Sequence, residues 1–160
     1  MQATIEIIDY TDQYAEDFRR LNLEWLQKYN LLESHDQEVI DDPRGTILDR
    51  GGRIYLAKAA NEIVGSAGLA KAGDARFELA KMAVTTSWQG KGIARLLIEK
   101  CLDAAKTLGA EKITLFSNHQ LTTAISLYEK YGFRHVAVEG SPFETADVKM
   151  ELDIVTDRAL

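Results

Sequence analysis

The stretch Glu78-Leu-Ala-Lys-Met-Ala-Val84, followed closely by Gln89-Gly-Lys-Gly-Ile-Ala94, decides how the rest of the chain is arranged. Its first part predicts a strand, and its second part predicts a tight turn that opens a helix. Gly90 and Gly92 would let the backbone of this turn approach a ligand closely. The first amides of a helix have no partner inside it and carry the positive end of its dipole, so the turn suits a phosphate or diphosphate.

Length and composition limit the class of protein. A chain of 160 residues is expected to form one domain, covering 1–160, with a sizeable core. The net charge of −6 argues against nucleic-acid binding and favours small cationic partners. Met1 to Asp9 is too polar and short for a signal peptide, and no apolar run approaches a membrane span. A cytoplasmic location without a membrane partner is therefore the default expectation.

The spacing of apolar residues predicts a mixed α/β domain with the order β-α-α-β-β-β-α-β-α-β-β. Three consecutive central strands are joined by short turns and must be antiparallel, whereas the strand after the next helix can lie parallel to its predecessor. We therefore expect a central, mostly antiparallel sheet with one parallel pair and helices on both faces. The predicted strands are 4–8, 53–59, 63–70, 76–84, 112–117, 133–138 and 147–152, and the predicted helices begin after Thr11, begin after Ser34, and span 90–108 and 122–131.

Two helix starts and one cysteine give local expectations. Thr11 is predicted to cap the first helix, and Ser34 with Gln37 fits a capping box for the second. Cys101 belongs to the apolar stripe of its helix, so we expect a buried core residue and not a nucleophile. The face of the first helix that packs on the sheet is predicted to carry Tyr14, Phe18, Leu21 and Trp25.

The motifs around and after the glycine turn resemble the GNAT family of acyl-CoA-dependent N-acetyltransferases. The family signature is Gln or Arg, two residues, Gly, one residue, and Gly or Ala, which Gln89 to Ala94 fit. The likeness covers roughly residues 76 to 136, and the family's fold agrees with the expected sheet. The motifs that continue the match, in the family's order and spacing, are Ala105-x-x-x-Gly109, Ile113-Thr-Leu115, Asn118 and Ala124-Ile-x-Leu-Tyr128-x-x-x-Gly132-Phe133.

The resemblance implies a site for acetyl-CoA along the central strand and the turn. The amide of Val84 or Met82 would stabilise the oxyanion, and the strand that carries them would pair with the pantetheine arm. Asn118 matches a position that contacts the cofactor, although it could equally cap the helix that follows. The phosphates would be bound by the backbone of the turn, with two basic side chains available, so the predicted cofactor-binding residues of the turn are Gln89, Gly90, Lys91, Gly92, Ile93, Ala94 and Arg95.

The resemblance also implies two catalytic residues for direct attack of a primary amine on the thioester. Tyr128 matches the family's general acid, since a phenol keeps its proton at neutral pH. The alternative for Tyr128 is a core tyrosine, and Tyr131, one turn away, is expected to serve packing. Glu78 matches the position of a general base, which would require desolvation or a bridging water. The alternative for Glu78 is a solvent-facing glutamate or one paired with Lys81.

The acceptor site has no motif of its own. Glu33, His35 and Asp36 gather at the entry of the second helix, where solvated acids often favour the positive helix end. In the family this segment commonly lines the acceptor pocket, so Glu33 and Asp36 are also candidates to bind an ammonium group. His35 has no second His or Cys at ligand spacing, and no metal is expected.

Two function classes remain open from the sequence. An N-acetyltransferase acting on a small-molecule or peptide amine is favoured because both Tyr128 and Glu78 are present. A non-catalytic acyl-CoA sensor would keep the turn but could lose these two residues. A nucleotide hydrolase is disfavoured because the turn lacks the Gly-Lys-Ser/Thr ending of a phosphate-binding loop. If the chain associates, a homodimer is the commonest form.

Overall fold

The computed structural model describes residues 4–154, which form one seven-stranded sheet with helices against it. The strand order across the sheet is 1-2-3-4-5-7-6. The strands are β1 (Ile5–Asp9), β2 (Arg53–Ala59), β3 (Glu62–Gly73), β4 (Arg76–Val84), β5 (Lys112–Ser117), β6 (Arg134–Val136) and β7 (Val148–Asp153). The helices are α1 (Ala15–Lys28), α2 (Ser34–Asp41), α3 (Pro43–Thr46), α4 (Ile93–Thr107) and α5 (Thr122–Lys130).

The pairing of the strands confirms a mostly antiparallel sheet with one parallel pair. β1 to β4 pair in sequence and antiparallel, and β7 lies between β5 and β6, antiparallel to both. β4 and β5 are parallel because helix α4 returns the chain to the edge from which β4 began. This parallel pairing is short, since it joins only Arg76–Glu78 to Lys112–Thr114.

Apolar clusters on the two faces of the sheet confirm that helices cover both. Phe18 and Leu21 of α1 pack with Ile54 and Leu56 on one face, and on the other face α4 and α5 pack against a separate cluster that includes Cys101. Of the four residues predicted to face the sheet, Phe18 and Leu21 are buried, whereas Trp25 and Tyr14, which lies in the turn just before α1, are half-buried at the cluster edge. Burial of this apolar surface is the main stabilising term for the layers.

An extra residue in β4 changes which side chains face each side of the sheet. Ser66 of β3 lies opposite Ala83, but Gly68 lies opposite Ala80, so β4 advances three residues where β3 advances two. Lys81, at the resulting β-bulge, has φ 54°, in the left-handed region. Without the bulge, Ala83 would share a face with Leu79, yet the two side chains belong to opposite clusters.

Three local predictions need correction. Thr11 makes no side-chain cap and precedes a short 3₁₀ turn, so α1 begins at Ala15. The capping box of α2 lies one residue earlier than predicted, because the carboxylate of Asp36 accepts the Glu33 amide at 3.0 Å. The one-turn helix α3 was not predicted, and it begins with Pro43 at the helix position that suits proline. Within residues 4–154, no helix is both long and apolar enough to cross a membrane.

Candidate active site

A pocket opens where β4 and β5 stop pairing. Beyond Glu78 and Thr114, β4 and β5 no longer pair with each other. The space between them is lined by residues of α1, α2, both strands and the loop between β6 and β7, here called the β6–β7 loop (137–147). Alternate main-chain groups of β4 past Glu78 therefore face this gap without a strand partner. Met82 and Val84 lie on this part of β4, past the bulge.

The glycine turn at the end of β4 presents main-chain amides that have no acceptor among residues 4–154. Gly90 has φ 78° and Gly92, the N-cap of α4, has φ 81°. Among residues 4–154, the first amide at the start of α4 with a main-chain acceptor is that of Leu96, which bonds the Gly92 carbonyl at 3.4 Å. A Cβ atom at either glycine would meet no atom within 4 Å. Within residues 4–154, the amides from Gly90 to Arg95 thus have no main-chain acceptor, and the space beside the two glycines is open, which is the setting in which a helix N-terminus attracts anions.

Side chains from two elements fix the segment between β4 and this turn. Gln89 Nε2 donates to the Val84 carbonyl at 3.0 Å. The carboxylate of Glu24 on α1 accepts from Thr85 Oγ1 at 2.8 Å and from the Thr86 amide at 3.1 Å. The turn is therefore held at a set position relative to the pocket.

The charged side chains of the turn point into solvent. Lys91 and Arg95 are both exposed, and the ammonium of Lys91 lies 5.8 Å from the centre of the Trp88 ring. Long cationic side chains at this end of a helix can adjust to the outer phosphates of a ligand, while the amides remain fixed by the backbone.

Glu78 lies at the inner end of the pocket with a half-buried side chain. No described residue forms an ion pair or a hydrogen bond with its carboxylate, so the alternative that Glu78 pairs with Lys81 is wrong, and the side chain is half-buried and not fully exposed. Burial raises the pKa of Glu78, nearby Lys81 lowers it, and Asp36 raises it, with an increase as the net result. A carboxyl group with a raised pKa is better suited to accept a proton than an ordinary glutamate.

Tyr128 is a buried residue of α5, with 7% of its surface exposed. Its ring packs edge-to-face against Phe133, with ring centres 5.9 Å apart, in the cluster on the α4 side of the sheet. Burial raises the pKa of Tyr128, so the phenol keeps its proton at neutral pH. Tyr131, by contrast, is half-exposed and donates from its hydroxyl to Glu99 at 2.8 Å.

Asn118 closes the end of β5 through two structural hydrogen bonds. Its Nδ2 donates to the Thr145 carbonyl at 2.8 Å, and its Oδ1 accepts from the Gln120 amide at 3.0 Å. The side chain is 8% exposed and lines the pocket. Asn118 thus connects β5 to the β6–β7 loop, and its amide is engaged within the protein.

The acids at the start of α2 both have partners within the protein, and of the two only Asp36 is buried. Asp36 is buried and pairs with the ammonium of Lys81, whose nitrogen also lies 5.2 Å from the centre of the Phe143 ring. Glu33 accepts from the amides of Glu144 and Thr145 at 2.9 and 3.1 Å. Burial raises the pKa of Glu33, but these bonds and one from the Thr145 hydroxyl outweigh it and lower the pKa overall. Together the two acids anchor α2 to β4 and to the β6–β7 loop.

The sequence did not indicate that Lys81 lines the pocket or that its partner is Asp36. From the sequence alone, a lysine inside an apolar strand is expected to face solvent. Its partner, Asp36, lies 45 residues away in the chain. The available signal was a charged residue between apolar neighbours in the same strand. If both faces of such a strand are buried, the charge must find a partner.

The sheet opens between the parallel strands β4 and β5, and a helix start whose amides have no main-chain acceptor among residues 4–154 follows β4, which is the arrangement expected from the resemblance to acyl-CoA-dependent acyltransferases. The model of the acetyltransferase (GNAT) family matches residues 11–133. The chain therefore belongs to the GNAT family of acetyltransferases and is an acyltransferase.

Individual relatives agree with this assignment. Uncharacterized N-acetyltransferase YvbK of Bacillus subtilis (strain 168) is 33% identical over 110 residues, which cover 67% of this chain and 71% of the relative. A GNAT acetyltransferase structure from Staphylococcus aureus Mu50 has a TM-score of 0.85 at 23% identity, covering 94% of this chain and 99% of that one. A Bacillus subtilis acetyltransferase solved in complex with CoA has a TM-score of 0.68 at 26% identity, covering 96% and 100%.

Proposed function

We propose that this protein is an N-acetyltransferase that moves the acetyl group of acetyl-CoA to a primary amine by direct attack. The observation that carries the proposal is the run of amides from Gly90 to Arg95 that have no main-chain acceptor within residues 4–154, at the end of a strand whose other end holds a half-buried glutamate. The CoA bound to the structurally similar Bacillus subtilis acetyltransferase supports the choice of coenzyme.

The turn would suit the charge of a diphosphate. Two glycines have positive φ, and a Cβ atom at either would meet no atom within 4 Å, so the space beside them is open to a ligand. Lys91 and Arg95 would neutralise the remaining phosphate charge from the solvent side. Acetyl-CoA supplies the activated acetyl group, and the chain positions it.

The unpaired edge of β4 would hold the rest of the coenzyme. An amide of Met82 or Val84 that faces the gap can donate to the oxyanion that develops as the amine attacks. Asn118 lines the same gap from β5 and would contact the coenzyme with the polar surface that its internal bonds leave free. Because the bulge at Lys81 fixes the direction of these amides before the ligand binds, little reorganisation is needed.

Glu78 would remove the proton from the attacking amine, directly or through one water. A protonated amine is not a nucleophile, and a carboxylate whose pKa is raised by burial is a more effective base toward it. Glu78 faces the α1 side of the sheet because its neighbours Phe77 and Leu79 face the α4 cluster. The amine would therefore arrive from the α1 side.

Tyr128 would protonate the departing thiolate from the α4 side. The buried phenol is protonated at neutral pH. A thiolate in the same kind of dry environment is also more basic than in water, as the pKa of Cys101, raised by burial to about 12, illustrates. The same raised pKa makes Cys101 a poor nucleophile and supports transfer without a covalent enzyme intermediate.

The experiment is to mix the protein with acetyl-CoA and a panel of primary amines and to measure the release of free thiol. Amine-dependent release at a rate that saturates with both substrates is the expected result. Tight CoA binding by calorimetry without release on any amine would contradict catalysis and support the acyl-CoA sensor. A cytoplasmic location stays a prediction from the sequence.

A further inference from the structure

The wall of the acceptor pocket is largely apolar. Three aromatic rings contribute to it from separate elements, namely Trp25 of α1, Phe116 of β5 and Phe143 of the β6–β7 loop. All three are half-buried, so each ring keeps one part of its surface open. Surfaces of this kind bind the apolar part of a ligand and gain free energy in proportion to the area covered.

The charged groups of the pocket leave one net negative charge. Asp36 and Lys81, with side chains 3% and 4% exposed, neutralise each other, and the Phe143 ring covers the ammonium. Glu78 forms no ion pair within residues 4–154, and the charge of Lys81 acts on it only from beyond ion-pair distance. A half-buried carboxylate that faces an apolar space is stabilised by a ligand cation, because desolvation leaves its charge uncompensated.

The same arrangement disfavours a carboxylate on the ligand. Lys81 is the cation that lines this pocket, and its ammonium is already paired with Asp36. A ligand carboxylate would have to break that pair or lie near Glu78, where like charges repel in a partly desolvated site. Among the described residues that line this pocket, the acids are Glu78, which would bind the reacting nitrogen, and Asp36, which is paired with Lys81, so a second ammonium on the ligand arm would have no free acid to pair with.

We infer that the acceptor is a primary amine on an apolar, preferably aromatic, arm and that it carries no carboxylate. Its nitrogen lies at Glu78 and its arm lies between Trp25, Phe116 and Phe143. The Asp36–Lys81 pair is the specificity determinant that excludes amino acids. This inference rests on the proposed acetyl transfer, because it identifies the acceptor of the same pocket.

The test compares matched amines with the wild-type protein and acetyl-CoA. 2-Phenylethylamine and phenylalanine differ by the carboxylate, 2-phenylethylamine and ethylamine differ by the aromatic ring, and phenylalanine amide represents a peptide N-terminus. We expect kcat/KM for 2-phenylethylamine to exceed the values for phenylalanine, ethylamine and spermidine by about tenfold or more. Equal or better turnover of phenylalanine or spermidine would overturn the inference, and a preference for phenylalanine amide would show a peptide acceptor in its place.

The variant Asp36→Asn tests the role of the ion pair. It releases the ammonium of Lys81 while keeping the shape of the side chain, so the preference for 2-phenylethylamine over phenylalanine should shrink by at least about threefold. Glu38→Gln removes one charge from the exposed side of the same helix and should leave the preference unchanged. An unchanged ratio in folded Asp36→Asn protein would remove the pair from specificity. If the variant does not fold, the wild-type comparison decides.

Failure of the two proposals can be distinguished. No thiol release on any amine contradicts acetyl transfer, and calorimetric binding of 2-phenylethylamine and phenylalanine, with and without CoA, then tests the pocket on its own. Tighter binding of 2-phenylethylamine would support the pocket inference, whereas equal or reversed affinities would contradict it. Thiol release without any preference within the panel would contradict only the acceptor inference.

Discussion

The glycine turn and the acceptor pocket lie at opposite ends of the unpaired part of β4, and they are built in different ways. The turn offers main-chain amides from consecutive residues, Gly90 to Arg95, beside open space. The pocket is assembled from side chains of five separate elements. A main-chain site needs a local backbone shape, and a side-chain site needs a tertiary fold. The coenzyme site can therefore be predicted from a short sequence motif, whereas the acceptor site cannot.

The largest effect is expected at the turn. We predict that Gly92→Glu reduces the affinity for CoA by about 10³-fold, since it strains a residue with φ 81° and places a negative charge beside the diphosphate. Isothermal calorimetry measures the change. Gly109→Glu is the matched control, because Gly109 also has positive φ and open space but lies after the far end of α4. Similar losses in both variants would mean that general destabilisation, and not the turn, explains the result.

A large effect on turnover alone is expected at Tyr128. Tyr128→Phe keeps the packing against Phe133 and removes the proton donor, so kcat should fall about 10²-fold while CoA affinity changes little. Steady-state kinetics and calorimetry separate the two quantities. Tyr131→Phe breaks only a surface hydrogen bond to Glu99 and should change kcat less than about twofold. Full activity of Tyr128→Phe would exclude its role as the acid.

Glu78 should show its function in the pH dependence. A base must be deprotonated, and burial raises the pKa of Glu78, so kcat/KM should fall as pH drops through a value above the ordinary 4.3 of glutamate. Glu78→Gln should lower kcat/KM about tenfold to a hundredfold at neutral pH and remove this limb of the profile. An unchanged acid limb in the variant would assign it to another group.

The carboxyl group of Glu78 should also make the stability of the folded protein depend on pH. Because the folded-state pKa is raised above the unfolded value, the stabilising contribution of Glu78 is present below the unfolded pKa and is lost as pH rises through the folded pKa. Glu78→Gln should therefore have a higher Tm than the wild type at pH 7, and the difference should vanish near pH 4. A lower Tm of a folded variant at pH 7 would contradict an uncompensated charge in the pocket.

The smallest effect is expected at Glu24 and tests whether this residue serves the glycine turn or the acceptor pocket. Glu24 lies on α1, which lines the pocket, yet its carboxylate holds the segment that leads to the turn. Glu24→Gln should weaken CoA binding by about three- to tenfold through loss of charge-assisted bonds, with little effect on the KM of the amine. A change in amine KM with constant CoA affinity would place Glu24 on the acceptor side instead.

The sequence predicted the sheet and the buried position of Cys101 because apolar spacing determines both. It failed where partners are distant in the chain. Lys81 and Asp36 are 45 residues apart, so no local pattern shows that they pair or that β4 carries a bulge. The capping box was placed at Ser34 because hydroxyl residues usually fill that position, whereas here Glu33 precedes the helix and turns its carboxylate to the β6–β7 loop.

The most direct test follows the backbone amides by ¹⁵N–¹H NMR while CoA is added to the wild-type protein. The largest chemical-shift changes should occur at Gly90 to Arg95, with smaller changes along β4 from Lys81 to Val84. Saturable CoA binding with the largest changes elsewhere and none in the turn would contradict the assignment of the diphosphate site.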